Sequence, residues 1–265
     1  MSVRKRLELP KEHGAWVMLY VPFVVGALVA GSLSWRVLLL LLSITFVFIA
    51  RESLLAWWRA RHRGQDKPEA MRLMLCYFGL ASLFGAPLIF VWHLFLLAPM
   101  GLLTALLLVL NAEQAVRRED RTIGAELLAI LGLTLTAPAA YYVARASWEI
   151  TALWLWALSA LYFASSVFYV KLRVHAINPR KEQESRSVWR RCALYHVFLL
   201  AALLVLALMG SLGLLAVIAF APVLARTFRH LFKPGERLNL RRIGVLEIIY
   251  SLIFLAFITM TFRPA

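Results

Sequence analysis

The side chains able to do chemistry are few, and they recur near the ends of long apolar segments. Lys171, Arg173 and His175 close one such segment in the stretch FYVKLRVHA, while Arg51 and Glu52, Asn111, and Arg226 lie near the ends of three others. Glu12 and His13, Glu126, and Glu247 lie near the starts of further segments. Arginine and lysine grouped in this way suit a phosphate or carboxylate held by charge-assisted hydrogen bonds. Lys171 and His175 are four residues apart, as are Tyr169 and Arg173, so on a helix each pair shares a face. The same spacing serves an anion-facing wall or an amphipathic exit from a membrane. Glu126 and Glu247 stand where a helix N-terminus stabilises a carboxylate. His13, His196 and His230 read as interfacial or hydrogen-bonded core positions, and their scatter carries no haem-ligand assignment. The chain has no GxSxG, HExxH, Walker or dinucleotide fingerprint. Ser165 and Ser166 read as small residues for helix packing. Cys76 and Cys192, far apart and outside any Cys/His cluster, read as small apolar residues rather than a disulfide or metal site.

The elements that must position these groups follow from composition. The 265 residues are 62% hydrophobic and 16% charged, against about 45 to 50% apolar in soluble domains. An all-α integral membrane protein is the expectation. With roughly 20 apolar residues needed per crossing, nine transmembrane helices fit, at 14–31, 36–58, 71–91, 93–111, 122–144, 150–171, 192–209, 211–229 and 243–262. VWHLFLLAP and LMGSLGLL join two pairs of spans across very short turns. The first apolar segment follows RKR but is longer than a signal-peptide core, and is read as a retained helix. Residues 1–265 form a single polytopic membrane domain, with no linker, low-complexity segment or high-identity repeat.

Charge sets the expected orientation. Of the 29 Lys and Arg, only Arg36, Arg145 and Arg263 fall on the side that follows the odd-numbered spans. Basic loops stay in the cytoplasm, so the N-terminus is expected in the cytoplasm and the C-terminus outside, in the cell (plasma or inner) membrane. The net charge of +15 is thereby explained without nucleic acid. On this orientation the ionisable residues collect at the cytoplasmic end of the spans, and such residues in a membrane usually face a cavity or a partner. A cytoplasm-facing polar pocket under an apolar roof is expected, built from Glu12, His13, Arg51, Glu52, Asn111, Glu126, Lys171, Arg173, His175, Arg226 and Glu247. Its ligand would have an anionic head and an apolar tail. Tyr141 and Tyr142, towards the outer face, read as part of an aromatic belt. Gly14 and Ala15 are expected to permit close helix packing, and Pro22 to kink the first span.

Particular stretches carry a resemblance. LPKEHGAWVMLYVPFVVGALVAG, RESLLAWWRARHR, NAEQAVRREDRTIGAELLAI and FYVKLRVHA, and PKEHGAW followed by VPF above all, resemble the YwiC-like membrane proteins, distant relatives of the UbiA-type intramembrane prenyltransferase superfamily. The resemblance covers most of the chain and implies a UbiA-like bundle. In those prenyltransferases two Asp-rich motifs, at the inner ends of spans 2 and 6, hold magnesium and through it an isoprenoid diphosphate. Here the first place reads ARESLLAWWR, with Glu52 its one acid, and the second reads SVFYVKLRVHA, with Lys171, Arg173 and His175 in place of acids. Magnesium requires several oxygen ligands, so a full magnesium-diphosphate site is not expected, and no cofactor is assigned.

Two outcomes follow from that loss. Lys and Arg contact the anion of an isoprenoid-like or other amphipathic ligand directly, in a divergent transferase, or the protein binds without catalysis. The alternatives of a different class are a transporter of an organic anion, which needs a polar route through the outer half, and a membrane assembly or regulatory protein. In the last, the basic loops around 59–67 and 178–191 would contact a protein or membrane lipids.

Overall fold

The computed structural model describes residues 13–117, 122–175, 182–232 and 240–262, with side chains from residues 14, 185 and 242 onward in the first, third and fourth stretches. Among the described residues the chain is helical, with no strand. Ten helices follow one another: α1 His13–Val29, α2 Trp35–His62, α3 Pro68–Phe90, α4 Leu97–Val116, α5 Ile123–Thr134, α6 Thr136–Arg145, α7 Ile150–His175, α8 Glu182–Leu208, α9 Leu214–Phe232 and α10 Leu240–Phe262. Among the described residues eight segments are long and apolar enough to cross a membrane, α5 and α6 together making one of them, and α1 is a shorter apolar helix. The protein is a multi-pass membrane bundle. At 1.5 Å per residue the 17 residues of α1 reach about 26 Å, close to the ~30 Å of a hydrocarbon core.

Local chemistry accounts for the helix ends. Pro68 opens α3, with Glu69 in its first turn, where a missing N–H costs nothing and a carboxylate complements the exposed donors. The Thr122 hydroxyl caps α5 by accepting from Ala125 N at 3.2 Å. Gly210, at φ +70°, turns the chain out of α8 in the left-handed conformation that glycine tolerates best. α7 and α8 extend beyond the apolar cores expected from hydropathy, to His175 and back to Glu182. The extra turns are rich in charged and polar residues in the sequence, so helix and apolar span end at different places.

The break between α5 and α6 has a cause in Pro138. Its ring removes the N–H that would bond the Thr134 carbonyl. Threonine hydroxyls cluster at the interruption: Thr134 donates to the Ile130 carbonyl at 2.7 Å, and the Thr136 hydroxyl is shared between the carbonyls of Leu133 and of Leu19 in α1, both at 2.9 Å. α1 runs through the interior, packed against α5, α6, α7 and α10. A Cβ added at Gly26 would lie 2.1 Å from the Ala137 carbonyl oxygen, so α1 and α6 cross with backbone against backbone. Close packing therefore belongs to Gly26 and not to Gly14, around which there is open space. Pro22 sits within an unbroken helix.

A second packing centre lies among α7, α9 and α10. There Tyr162 is fully buried, stacked on Phe254 with ring centroids 4.2 Å apart and edge-on to Phe220. Tyr141 and Tyr142 are also buried, which corrects the reading of them as an aromatic belt. The Tyr141 hydroxyl donates to Glu149 Oε2 at 2.6 Å, and Tyr142 meets Trp148 edge-on.

Candidate functional site

Where the C-terminal halves of α2, α4 and α7 meet the N-terminal halves of α5 and α10, polar side chains join into a chain of contacts. Arg51 donates from Nη1 to Glu52 Oε1 at 2.7 Å and from Nη2 to Asn111 Oδ1 at 3.1 Å. Buried Asn111 in turn donates to the Ala125 carbonyl at 3.4 Å, beside Glu126. Lys171 Nζ pairs with Glu126 Oε1 at 3.0 Å. One and a half turns earlier on α7, the Ser166 hydroxyl donates to Glu247 Oε2 at 2.7 Å. Glu247 Oε1 is paired with Arg226. Arg226 is itself buried, its guanidinium 3.9 Å from the centre of the Tyr169 ring, where the aromatic face attracts a cation.

These groups border a cavity of about 1350 Å³, larger than the ~300 to 1,000 Å³ usual for drug-sized ligands. Arg51, Asn111, Glu126, Ser166, Lys171 and Glu247 line one end of it. Towards the N-terminal end of α4 and the C-terminal ends of α3 and α5 its wall is largely apolar, with Leu88, Ile89, Leu97, Met100 and Leu133 among the lining residues. Arg51, Glu126, Lys171 and Glu247 are its charged lining residues among those described, two cations and two carboxylates. Gly101, Ala105 and Val109 of α4, and Gly244, Val245 and Ile248 of α10, line the cavity and are also exposed. Along α4 and α10 the cavity is thus bordered by small and apolar residues that are exposed.

The structure divides the expected polar ring. Arg51, Asn111, Glu126, Lys171 and Glu247 face the cavity. Arg226 stands behind Glu247, and Glu52 borders a second, smaller cavity of about 230 Å³ together with Arg59, Arg63 and Lys67. Buried Arg173 and half-buried His175 are not part of the main lining. His175 Nδ1 lies 3.2 Å from the Lys171 carbonyl, one helical turn back. Lys171 and Tyr169 face different ways, one the cavity and the other Arg226, so the two i, i+4 pairs do not form one wall. Glu12 and the His13 side chain lie outside the described residues.

Ser165 and Ser166 have polar partners that sequence reasoning missed. Besides the bond from Ser166 to Glu247, Ser165 Oγ lies 3.0 Å from Nε2 of fully buried His196, whose Nδ1 is 2.8 Å from the Cys192 carbonyl. The available signal was Glu247 itself, since a carboxylate inside a span requires donors. His196 and His230 are hydrogen-bonded within the bundle, as expected, His230 Nδ1 lying 2.9 Å from the Arg226 carbonyl. Among the described residues no group of three His, Cys, Asp or Glu side chains is placed to hold a metal ion.

At the far end of the fifth span, Arg145 Nε lies 3.4 Å from Glu149 Oε1. Glu149 is in the turn outside the spans. The Tyr141 hydroxyl, by donating to it, holds its carboxyl below the ordinary value, and nearby Arg145 acts in the same direction.

The chain is 27% identical over 248 residues to the uncharacterized protein YwiC of Bacillus subtilis, covering 94% of this chain and 95% of that protein. To an uncharacterized protein of Haemophilus influenzae it is 24% identical over 252 residues, with 94% and 96% covered. It matches no solved structure. Residues 9–141 match the family model of the YwiC-like proteins, a stretch that contains PKEHGAW as well as the helices carrying Arg51, Asn111 and Glu126. The chain belongs to the YwiC-like protein family.

Proposed function

We propose that this YwiC-like protein binds an amphipathic molecule in its central cavity, with an anionic group of the head at Arg51 and Lys171 and the tail along the apolar wall. The observation that carries this reading is the division of one cavity into a charged end and an apolar remainder. The exposed apolar border along α4 and α10 supports it, because a tail entering there from the hydrocarbon need not cross the polar end. The one-sided distribution of Lys and Arg in the sequence supports a cytoplasmic position for the charged end, and the cell membrane is the location we propose. No charged residue lines the apolar end among those described, which favours binding over passage of an anion through the bundle.

The test is extraction of the lipids that accompany the protein from its own membranes in mild detergent, with mass analysis. Wild type is expected to retain one amphiphile class with an anionic group. Lys171→Ala and Arg51→Gln are expected to retain about tenfold less, the loss of one charge-assisted bond at a shielded site. Bulk membrane lipid alone, in the same amount on all three proteins, would contradict the reading. If a transferase reaction of the UbiA kind takes place here, its turnover falls in the same two variants while the fold persists.

A further inference from the structure

The binding reading leaves the head group open between a simple anion and something more elaborate, and the arrangement of charges selects between them. We infer that the cavity takes a dipolar head, one carrying a cationic centre as well as the anionic one; this rests on the binding reading above. Seen from the cavity, the polar groups are ordered. Arg51 presents a cation with its acid, Glu52, behind it in the neighbouring small cavity. Glu247 presents a carboxylate with its cation, Arg226, buried behind it. Between them stands the pair Lys171 and Glu126, both of which line the wall. Asn111 links Arg51 to the backbone beside Glu126, and α7 links Lys171 to Ser166 and so to Glu247. The wall therefore runs from a positive group on α2, through an ion pair, to a negative group on α10.

A phosphate or diphosphate with no positive charge would fit half of this wall. An anion at Arg51 and Lys171 also lies near the Glu126 carboxylate, and a head with no positive centre of its own leaves that like-charge repulsion unanswered. A head with a phosphate or carboxylate towards Arg51 and an ammonium towards Glu247 answers each group with its opposite. The existing pairs then need not break, which matters because exposing half of a buried ion pair costs several kcal/mol. Ser166, held on Glu247 Oε2, fixes the carboxylate that would receive the ammonium.

The test compares three probes with the same twelve-carbon tail: dodecyl phosphate, dodecylphosphocholine and dodecyltrimethylammonium. Each is added below its micellar concentration to the protein in maltoside detergent, and binding is read by ligand-dependent thermal shift. The dipolar probe is expected to bind about tenfold more tightly than either singly charged one, one extra charge contact at a shielded site. Glu126→Gln removes a carboxylate without orphaning a buried arginine, and is expected to bring dodecyl phosphate level with the dipolar probe. Glu247→Gln should do so too if it folds. Dodecyl phosphate or dodecyltrimethylammonium binding wild type as well as or better than the dipolar probe would overturn the inference while leaving amphiphile binding in place. An unchanged ranking in Glu126→Gln would also overturn it. Binding of none of the three would remove the binding reading itself.

Discussion

At the scale of single residues, the site is made of ion pairs whose members differ in exposure. The Arg226 side chain is 5% exposed and that of Glu247 20%, so the pair sits where solvent does little to screen it. Removing one member of a shielded pair leaves the other charge desolvated and unanswered. Arg226→Met is accordingly expected to destabilise the protein by about 3 kcal/mol, several degrees in Tm for a chain of this size. Adding Glu247→Gln should restore most of that, because the pair is then replaced and not broken, and Ser166 keeps a side-chain oxygen to donate to. Thermal unfolding of the single and double variants in detergent checks both. Tyr141 and Glu149 give a pH signature of their own. Because the folded-state carboxyl is lowered by the Tyr141 hydroxyl, its stabilisation is present above the ordinary carboxylate pKa of about 4.3 and disappears as pH falls through the lowered value. Tyr141→Phe should be less stable than wild type at neutral pH, with the gap narrowing at acid pH. A gap that stays constant down to the acid limit would remove Glu149 as its source.

Among the helices, the tightest constraint is the crossing of α1 over α6. Backbone atoms cannot rotate away as the end of a side chain can, so a methyl group at Gly26, aimed at the Ala137 carbonyl oxygen, must push two helices apart. Gly26→Ala is expected to cost about 2 to 3 kcal/mol, read as a lower Tm and a lower folded yield, while Gly14→Ala, in open space, should cost little. Elements of this kind were unevenly legible in the sequence. Nine apolar segments could be placed because hydropathy reports length directly. Arg51, Asn111, Glu126, Lys171 and Glu247 line one cavity, and their grouping was legible because the sequence gives position, and so depth, along each helix. What depth does not contain is rotation about each helix axis. That is why Lys171 and Tyr169 face different neighbours, why the bond from Ser166 to Glu247 is not visible in the sequence, and why Tyr141 and Tyr142 are buried where the sequence alone suggests an interfacial belt. The glycine at the crossing was likewise hidden, since α1 contains Gly14 and Gly26 and only the tertiary packing says which one meets a neighbour.

Over the whole molecule, the bundle combines an unusually one-sided charge distribution with a charge-balanced cavity. Most of the 29 Lys and Arg belong to the basic side of the spans, yet the charged lining of the main cavity is two cations and two carboxylates. The net charge of +15 is thus not the charge of the cavity lining, which has an electrostatic pattern of its own among the described residues. The central claim is that an amphipathic molecule occupies this cavity with its head at the charged end. The most direct measurement is an experimental structure of the protein excised with its native membrane. Density for a tail along α4 and α10, ending in a head within hydrogen-bonding distance of Arg51 or Lys171, is the expected result. A cavity filled only by disordered annular lipid, or an ordered molecule whose head lies at the apolar end, would contradict it.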